Sequence, residues 1–178
     1  MRAKSGSTAK DVSELAALLA AALIAGLFER LIPFDFAVPG VKLGLSNAVV
    51  LMSLYLLGAG RAFMLAVLKC FAIALVSGDW AAFMYSISGS MMSFFAMLMT
   101  KRALGGENGA SPIGVSAVGA VFHNIGQLLM AAFILGSLNV MAYLPVLAIS
   151  GIITGILVGF IVKFALPAVK KARRSARG

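Results

Sequence analysis

The sequence predicts an all-α integral membrane protein of six transmembrane helices with both termini in the cytoplasm. Three observations predict it. Of 178 residues, 61% are hydrophobic and 12% charged, against about 45 to 50% and about 25% in soluble domains. Apolar runs near the ~20 residues needed to cross a bilayer recur along the whole chain. The cations fall in the joints and tails between those runs. Soluble enzymes and disordered chains are excluded, because too few polar residues remain for a wet surface. The formal net charge of +9 reads as membrane orientation rather than as a nucleic-acid face.

The spans are predicted in order as Val12–Ile32, Leu43–Leu57, Ala62–Ser77, Trp80–Met99, Pro112–Leu135 and Ala142–Val169. They form one membrane domain, 12–169, between an N-terminal tail, 1–11, and a basic C-terminal tail, 170–178. Helix breakers mark the joints: Gly58-Ala-Gly60, Ser77-Gly-Asp79, Gly105-Gly-Glu-Asn-Gly109 and Gly136-Ser-Leu-Asn139. The second and third spans are short, which suits little tilt or flanking re-entrant backbone.

Alternating the joints puts Arg2, Lys4, Lys10, Arg61, Lys101, Arg102, Lys170, Lys171, Arg173, Arg174 and Arg177 on one side, and only Arg30 and Lys42 on the other. The positive-inside rule makes the first side cytoplasmic. Lys163 can snorkel toward the same side. The cations ahead of Leu15–Leu27 also resemble a secretory signal; the length of the run and its small-residue pattern favour a retained helix. The single cysteine, Cys70, lies in an apolar run and reads as a packing residue.

On the first helix Ala17, Ala21 and Ala25 recur at four-residue spacing, with Ala16, Ala20, Ala22 and Gly26 beside them. Small residues on one stripe let another helix approach closely. Either the stripe packs within the protein or it docks a separate membrane subunit. In the following loop Pro33, Pro39 and Gly40 stop the helix, and Phe34 and Phe36 suit an interface. Lys42, Ser46 and Asn47 then stand at the mouth of the second helix, as an anion site or as an interfacial anchor and cap.

Lys69 is the most informative residue. Counted from Arg61 it lies ~12 Å into the membrane, near the middle of a roughly 30 Å core. A cation there costs about 2.5 to 3.5 kcal/mol on insertion scales. Compensation can come from backbone carbonyls, an anionic ligand or deprotonation on desolvation. Glu29, Asp35 and Asp79 read as outer-surface residues and Glu107 as part of an inner loop. Asp79 is ~15 Å along the helix from Lys69.

On the fifth helix His123 and Gln127 share a face at i and i+4, with Asn124 beside them. They read as the wall of a binding cavity or as hydrogen-bonded structural groups. One His and one Cys are too few for zinc, and no intramembrane carboxylate stands ready for a proton relay. Trp80 and Tyr85 read as belt residues. Ser86, Ser88, Gly89, Ser90 and Ser93, with Gly151, Gly155 and Gly159, predict close helix packing. Met91, Met92, Met97 and Met99 read as lipid-facing or core residues. The tail Lys170-Lys-Ala-Arg-Arg174 suits anionic headgroups.

At Pro39-Gly-Val-Lys-Leu-Gly-Leu-Ser-Asn47 and His123-Asn-Ile-Gly-Gln127, with Leu144-Pro-Val-Leu and Ser150-Gly-Ile-Ile-Thr-Gly155, the sequence resembles a bacterial membrane family. That family is labelled Gx transporter or heptaprenyl diphosphate synthase component I, and the resemblance runs from about Ala16 to Phe160. The family in turn looks like the S components of energy-coupling factor vitamin transporters, six-helix proteins whose first helix docks on a coupling subunit. The resemblance implies an outward-opening pocket, with the coupling protein and ATPases on separate chains.

The two labels imply different classes. Prenyl diphosphate synthases of the usual kind hold Mg²⁺ on clustered aspartates such as DDxxD, whereas Asp35 and Asp79 are far apart. No G-x-x-x-x-G-K-[ST] occurs. The expectation is a nonenzymatic substrate-capture subunit of an importer in the bacterial cytoplasmic membrane, without a cofactor or metal. Lys69, His123, Asn124 and Gln127, with Asn47 and Lys42 nearer the mouth, would line a cavity for a small vitamin-like or cofactor-precursor ligand with an anionic or carbonyl-rich part. The alternative is a noncatalytic membrane anchor for a prenyl or quinone pathway enzyme.

Overall fold

A computed structural model describes residues 3–31, 44–105 and 109–177. Its elements in chain order are α1 (Ala3–Leu31), α2 (Leu45–Leu56), α3 (Ala59–Ser77), α4 (Trp80–Ala103), α5 (Pro112–Leu135), a 3₁₀ helix (Leu138–Tyr143) and α6 (Leu144–Arg177). Among the described residues there is no strand. All these helices except α2 and the 3₁₀ segment are long and apolar enough to cross a membrane. Large apolar side chains such as Ile24, Val76, Phe133 and Phe164 stand outward on the bundle, as lipid-facing residues do in a multi-pass membrane protein.

Local chemistry sets the joints. Gly78 closes α3 with φ 65°, and Asp79 opens α4 by accepting the Ala82 N–H at 2.8 Å. That pairing of a left-handed glycine with an N-cap aspartate makes the reversal between the two helices tight. Ser111 caps α5 with Pro112 in its first turn, and Gly136 ends it with φ 61°. The 3₁₀ helix then covers a stretch the sequence reading assigned to a joint and to the start of the last span.

The helix α2 is the centre of the bundle and packs against α1, α3, α4, α5 and α6. Its Val50, Leu51 and Leu54 are buried in the main apolar core with Leu65 and Ala66 of α3, Phe94 and Met97 of α4, and Val158 and Val162 of α6. At twelve residues it is only ~18 Å long, well short of a roughly 30 Å hydrocarbon core. Its last carbonyls would be left without partners in an apolar medium. Long basic side chains supply them: Lys101 Nζ donates to the Leu54 carbonyl at 2.7 Å, and Arg173 Nη1 to the Leu56 carbonyl at 2.6 Å. Lys101 also lies 4.4 Å over the Tyr55 ring, whose hydroxyl donates to the Ala110 carbonyl at 2.7 Å.

Close backbone approach joins α4, α5 and α6. A Cβ on Gly126 would lie 2.7 Å from the Ser88 carbonyl oxygen, and one on Gly159 would lie 2.5 Å from Ile113 Cα. Ser88 Oγ donates to the Gly126 carbonyl at 2.7 Å across the same α4–α5 crossing. The predicted small-residue packing of the fourth and sixth spans is therefore real: Gly155 and Gly159 are set against the backbone of α5, and Gly89 against the side chains of His123 and Gln127.

Most boundaries shift by a few residues from the sequence reading, and two shift by eight or more. The first helix begins at Ala3 instead of Val12, and the last continues to Arg177 instead of ending at Val169. Good helix formers carry the extension of α6, and ion pairs hold both ends to the bundle: Asp11 with Arg61, and Glu14 with Arg173 at 3.1 Å. The loop residues Pro33, Phe34, Phe36, Pro39, Gly40 and Lys42, and Glu107, lie outside the described residues.

Candidate functional site

The first turn of α2 is set among α1, α3, α4 and α5, and this places its polar groups inside the bundle. Gly44 precedes the turn; its N–H donates to Glu29 Oε1 near the end of α1. Its carbonyl accepts the Asn47 N–H at 2.9 Å. The turn therefore presents Ser46 and Asn47 toward α3. Lys69 meets them there, donating from Nζ to Asn47 Oδ1 and to Ser46 Oγ at 3.2 Å.

Lys69 is 2% exposed. A buried ammonium is tolerated only when its hydrogens find acceptors. Here side-chain oxygens from α2 accept from Lys69, partners the sequence reading did not name beside backbone carbonyls, a ligand and deprotonation. Those two acceptors engage two of the three N–H donors. The remaining donor is the natural place for an acceptor atom of a bound molecule.

Around this group is a cavity of about 80 Å³. Gly26 and Glu29 of α1, Ser46 and Asn47 of α2, and Lys69 and Ile73 of α3 form one wall. Ala82 and Ser86 of α4 and His123 and Gln127 of α5 form the other. Gly89 of α4 makes room for the α5 pair, since a Cβ there would lie 2.8 Å from His123 Cε1 and 2.9 Å from Gln127 Cγ. A smaller cavity of about 20 Å³ lies beside Asn47, between Ser93 and Ser116, with room for about one water.

A larger, open cavity of about 490 Å³ adjoins the chamber beside the start of α4 and the end of α5, roofed by the 3₁₀ helix and the start of α6. Tyr85, Leu128, Ala131, Val140, Tyr143 and Leu147 give it a largely apolar lining. Ala82 and Gln127 line both cavities.

Of the residues predicted for a binding cavity, the structure brings together Asn47, Lys69, His123 and Gln127. Asn124 is turned away: its Nδ2 donates to the Leu147 carbonyl at 2.7 Å, tying α5 to α6 beside Gly151. Lys42 lies outside the described residues. Glu29 is a lining residue the sequence reading left at the surface. Its spacing was informative, because it falls three residues after Gly26 and seven after Ala22, both buried against the bundle.

The alanines of α1 divide. Ala22 and Gly26 face the bundle, whereas Ala17 and Ala21 are exposed and Ala25 is half-buried. The exposed stripe is thus spared from packing within the chain. Cys70 is buried with Sγ donating to Ser90 Oγ at 3.2 Å, in keeping with a packing role. Among the described residues no three of His, Cys, Asp and Glu are grouped to hold a metal ion.

The family model for heptaprenyl diphosphate synthase component I matches residues 18–165. No curated protein and no solved structure matches the chain. The match spans most of the sequence and takes in α2 to α5 and nearly all of the membrane part of α6. The chain belongs to that family.

Proposed function

We propose that this member of the heptaprenyl diphosphate synthase component I family is a noncatalytic membrane subunit that captures a small molecule, in the manner of the S component of an energy-coupling factor importer. The observation that carries the reading is Lys69, buried at mid-bundle, held by Asn47 and Ser46, and facing a chamber shared with His123 and Gln127. A buried cation with a donor to spare is costly as mere structure, since an apolar residue of like volume packs as well or better. A ligand carbonyl or anion accepting from Lys69, with Gln127 and His123 fixing its orientation, supplies a reason for keeping it.

Ligand release in this reading follows reorientation of the subunit against a coupling protein, which docks on the exposed Ala17 and Ala21 of α1 and draws on ATPases carried by other chains. The excess of cations at the end holding Arg61, Lys101 and Arg173 supports placing both termini in the cytoplasm of a bacterium. Catalysis is not part of the reading: the aspartates Asp11, Asp35 and Asp79 are too scattered in sequence to form the paired clusters that bind diphosphate through Mg²⁺.

A second reading is favoured by the family's name. It makes the chain a membrane component of a prenyl diphosphate synthase system. Native purification in mild detergent, with mass spectrometry of copurifying proteins and released small molecules, separates the two. Recovery of a coupling subunit, an ATPase pair or a small ligand supports capture and import; a soluble prenyl synthase recovered without selective ligand moves the assignment to the synthase system.

A further inference from the structure

The Lys69 chamber is too small for the ligand its chemistry invites. Small-molecule sites enclose ~300 to 1,000 Å³, whereas the chamber has about 80 Å³, room for a head group and little more. The missing volume is next door. The outer cavity has about 490 Å³, and Ala82 and Gln127 form part of the wall of each. The two linings are chemically opposite. Lys69 offers a donor and Glu29 a carboxylate on one side; Leu128, Ala131, Val140 and Leu147 offer apolar surface on the other.

We infer that the two cavities are one bipartite site, and that its ligand is an amphiphile. A compact head bearing a hydrogen-bond acceptor for Lys69 sits in the chamber, and an apolar body of ring size or larger fills the space beneath the 3₁₀ helix. Gln127 lies at the junction and orients the head where it joins the body. Tyr85 and Tyr143 give the outer part aromatic surface, which suits a flat body. This rests on the proposal that the chamber binds a ligand, and extends it to the ligand's chemical class.

Primary amides test it, because the amide group carries one acceptor and two donors. The protein in phosphatidylcholine nanodiscs is titrated with acetamide, benzamide and 2-naphthamide by calorimetry, with empty nanodiscs subtracted. The expected result is saturable binding that tightens by about tenfold or more from benzamide to 2-naphthamide. Ala131→Trp, which fills the outer cavity, should erase that gain and leave benzamide binding in place. Val140→Trp, on the 3₁₀ helix that roofs the same cavity, repeats the test should the first variant fold poorly. Lys69→Met should weaken both probes. If the tryptophan variants leave 2-naphthamide binding unchanged while Lys69→Met weakens it, the outer cavity is filled by lipid and the inference falls, with the chamber reading intact. If Lys69→Met alters neither probe, or 2-naphthamide does not bind saturably, the inference falls, and in the first case the chamber reading falls with it.

Discussion

Lys69 on α3, itself buried, donates to the half-buried Asn47 on α2 inside the bundle. The two side chains have unequal replacements. Lys69→Met removes the charge and keeps the volume, leaving half-buried neutral acceptors that water can reach, so ligand binding is lost while stability falls less than for the change at Asn47. Asn47→Leu leaves the ammonium short of an acceptor and should cost about 1 to 3 kcal/mol. Thermal melts of the two variants in one detergent check the contrast; equal losses would mean that the lysine is not the strained partner.

The contacts of α5 with α6 make a second prediction. Gly159→Val would drive a Cβ toward Ile113 Cα, to 2.5 Å before relaxation, and overpacking of this kind costs about 1 to 3 kcal/mol. Gly114 has open space around its Cα on the same helix pair. Gly114→Ala should therefore stabilise, by up to about 1 kcal/mol. Chemical denaturation in mixed micelles reads both signs.

At the other end of α2, Arg173 serves the Leu56 carbonyl and Glu14 together. Arg173→Ala should destabilise by about 1 to 3 kcal/mol, chiefly through the carbonyl it abandons. Glu14→Ala should cost less, because the ion pair is partly exposed and such pairs contribute about 0 to 1 kcal/mol. A double-mutant cycle in which the coupling energy exceeds the effect of the carbonyl would reverse that ranking.

The exposed stripe of α1 predicts a separation of functions. Ala17→Leu with Ala21→Leu should leave folding and ligand binding unchanged, since neither side chain is buried in the bundle. Recovery of a coupling subunit on native purification should fall several-fold. Unchanged recovery would remove α1 from the docking surface.

Orientation is open to a direct check. In a Cys70→Ser background, Leu138→Cys on the 3₁₀ helix should react with an impermeant maleimide in intact cells, and Ser175→Cys on α6 only after permeabilisation. Both positions are exposed. The reverse pattern would invert the topology argued from Lys and Arg placement.

The spans were legible because hydropathy and punctuation act locally: the Gly78 and Asp79 reversal and the Ser111, Pro112 start of α5 fall where the residues put them. The polar centre was only half legible. His123 and Gln127 point one way because residues four apart share a helix face, but Asn124 is rotated by about 100° from His123 and turns to α6. Periodicity could have separated them. Lys69 finding its acceptors on the first turn of α2 could not be read from the chain, because that contact depends on how deeply a short helix is set among longer neighbours. The ends of α1 and α6 were missed for a related reason: hydropathy marks where the membrane stops, and ion pairs such as Glu14 with Arg173 decide how far the helix goes on.

The glycine contacts that press α4, α5 and α6 together have a mechanical consequence. Three helices held at backbone distance move as a slab, because any slip between them meets hard atoms within a few tenths of an ångström. Against α1, α2 and α3 the slab is held largely by side chains, which yield by changing rotamer. Lys69, Asn47 and Glu29 belong to one side of that seam, and His123 and Gln127 to the other. A slide along the seam would alter the distance across the chamber, so the boundary between the two halves of the bundle passes through its polar centre.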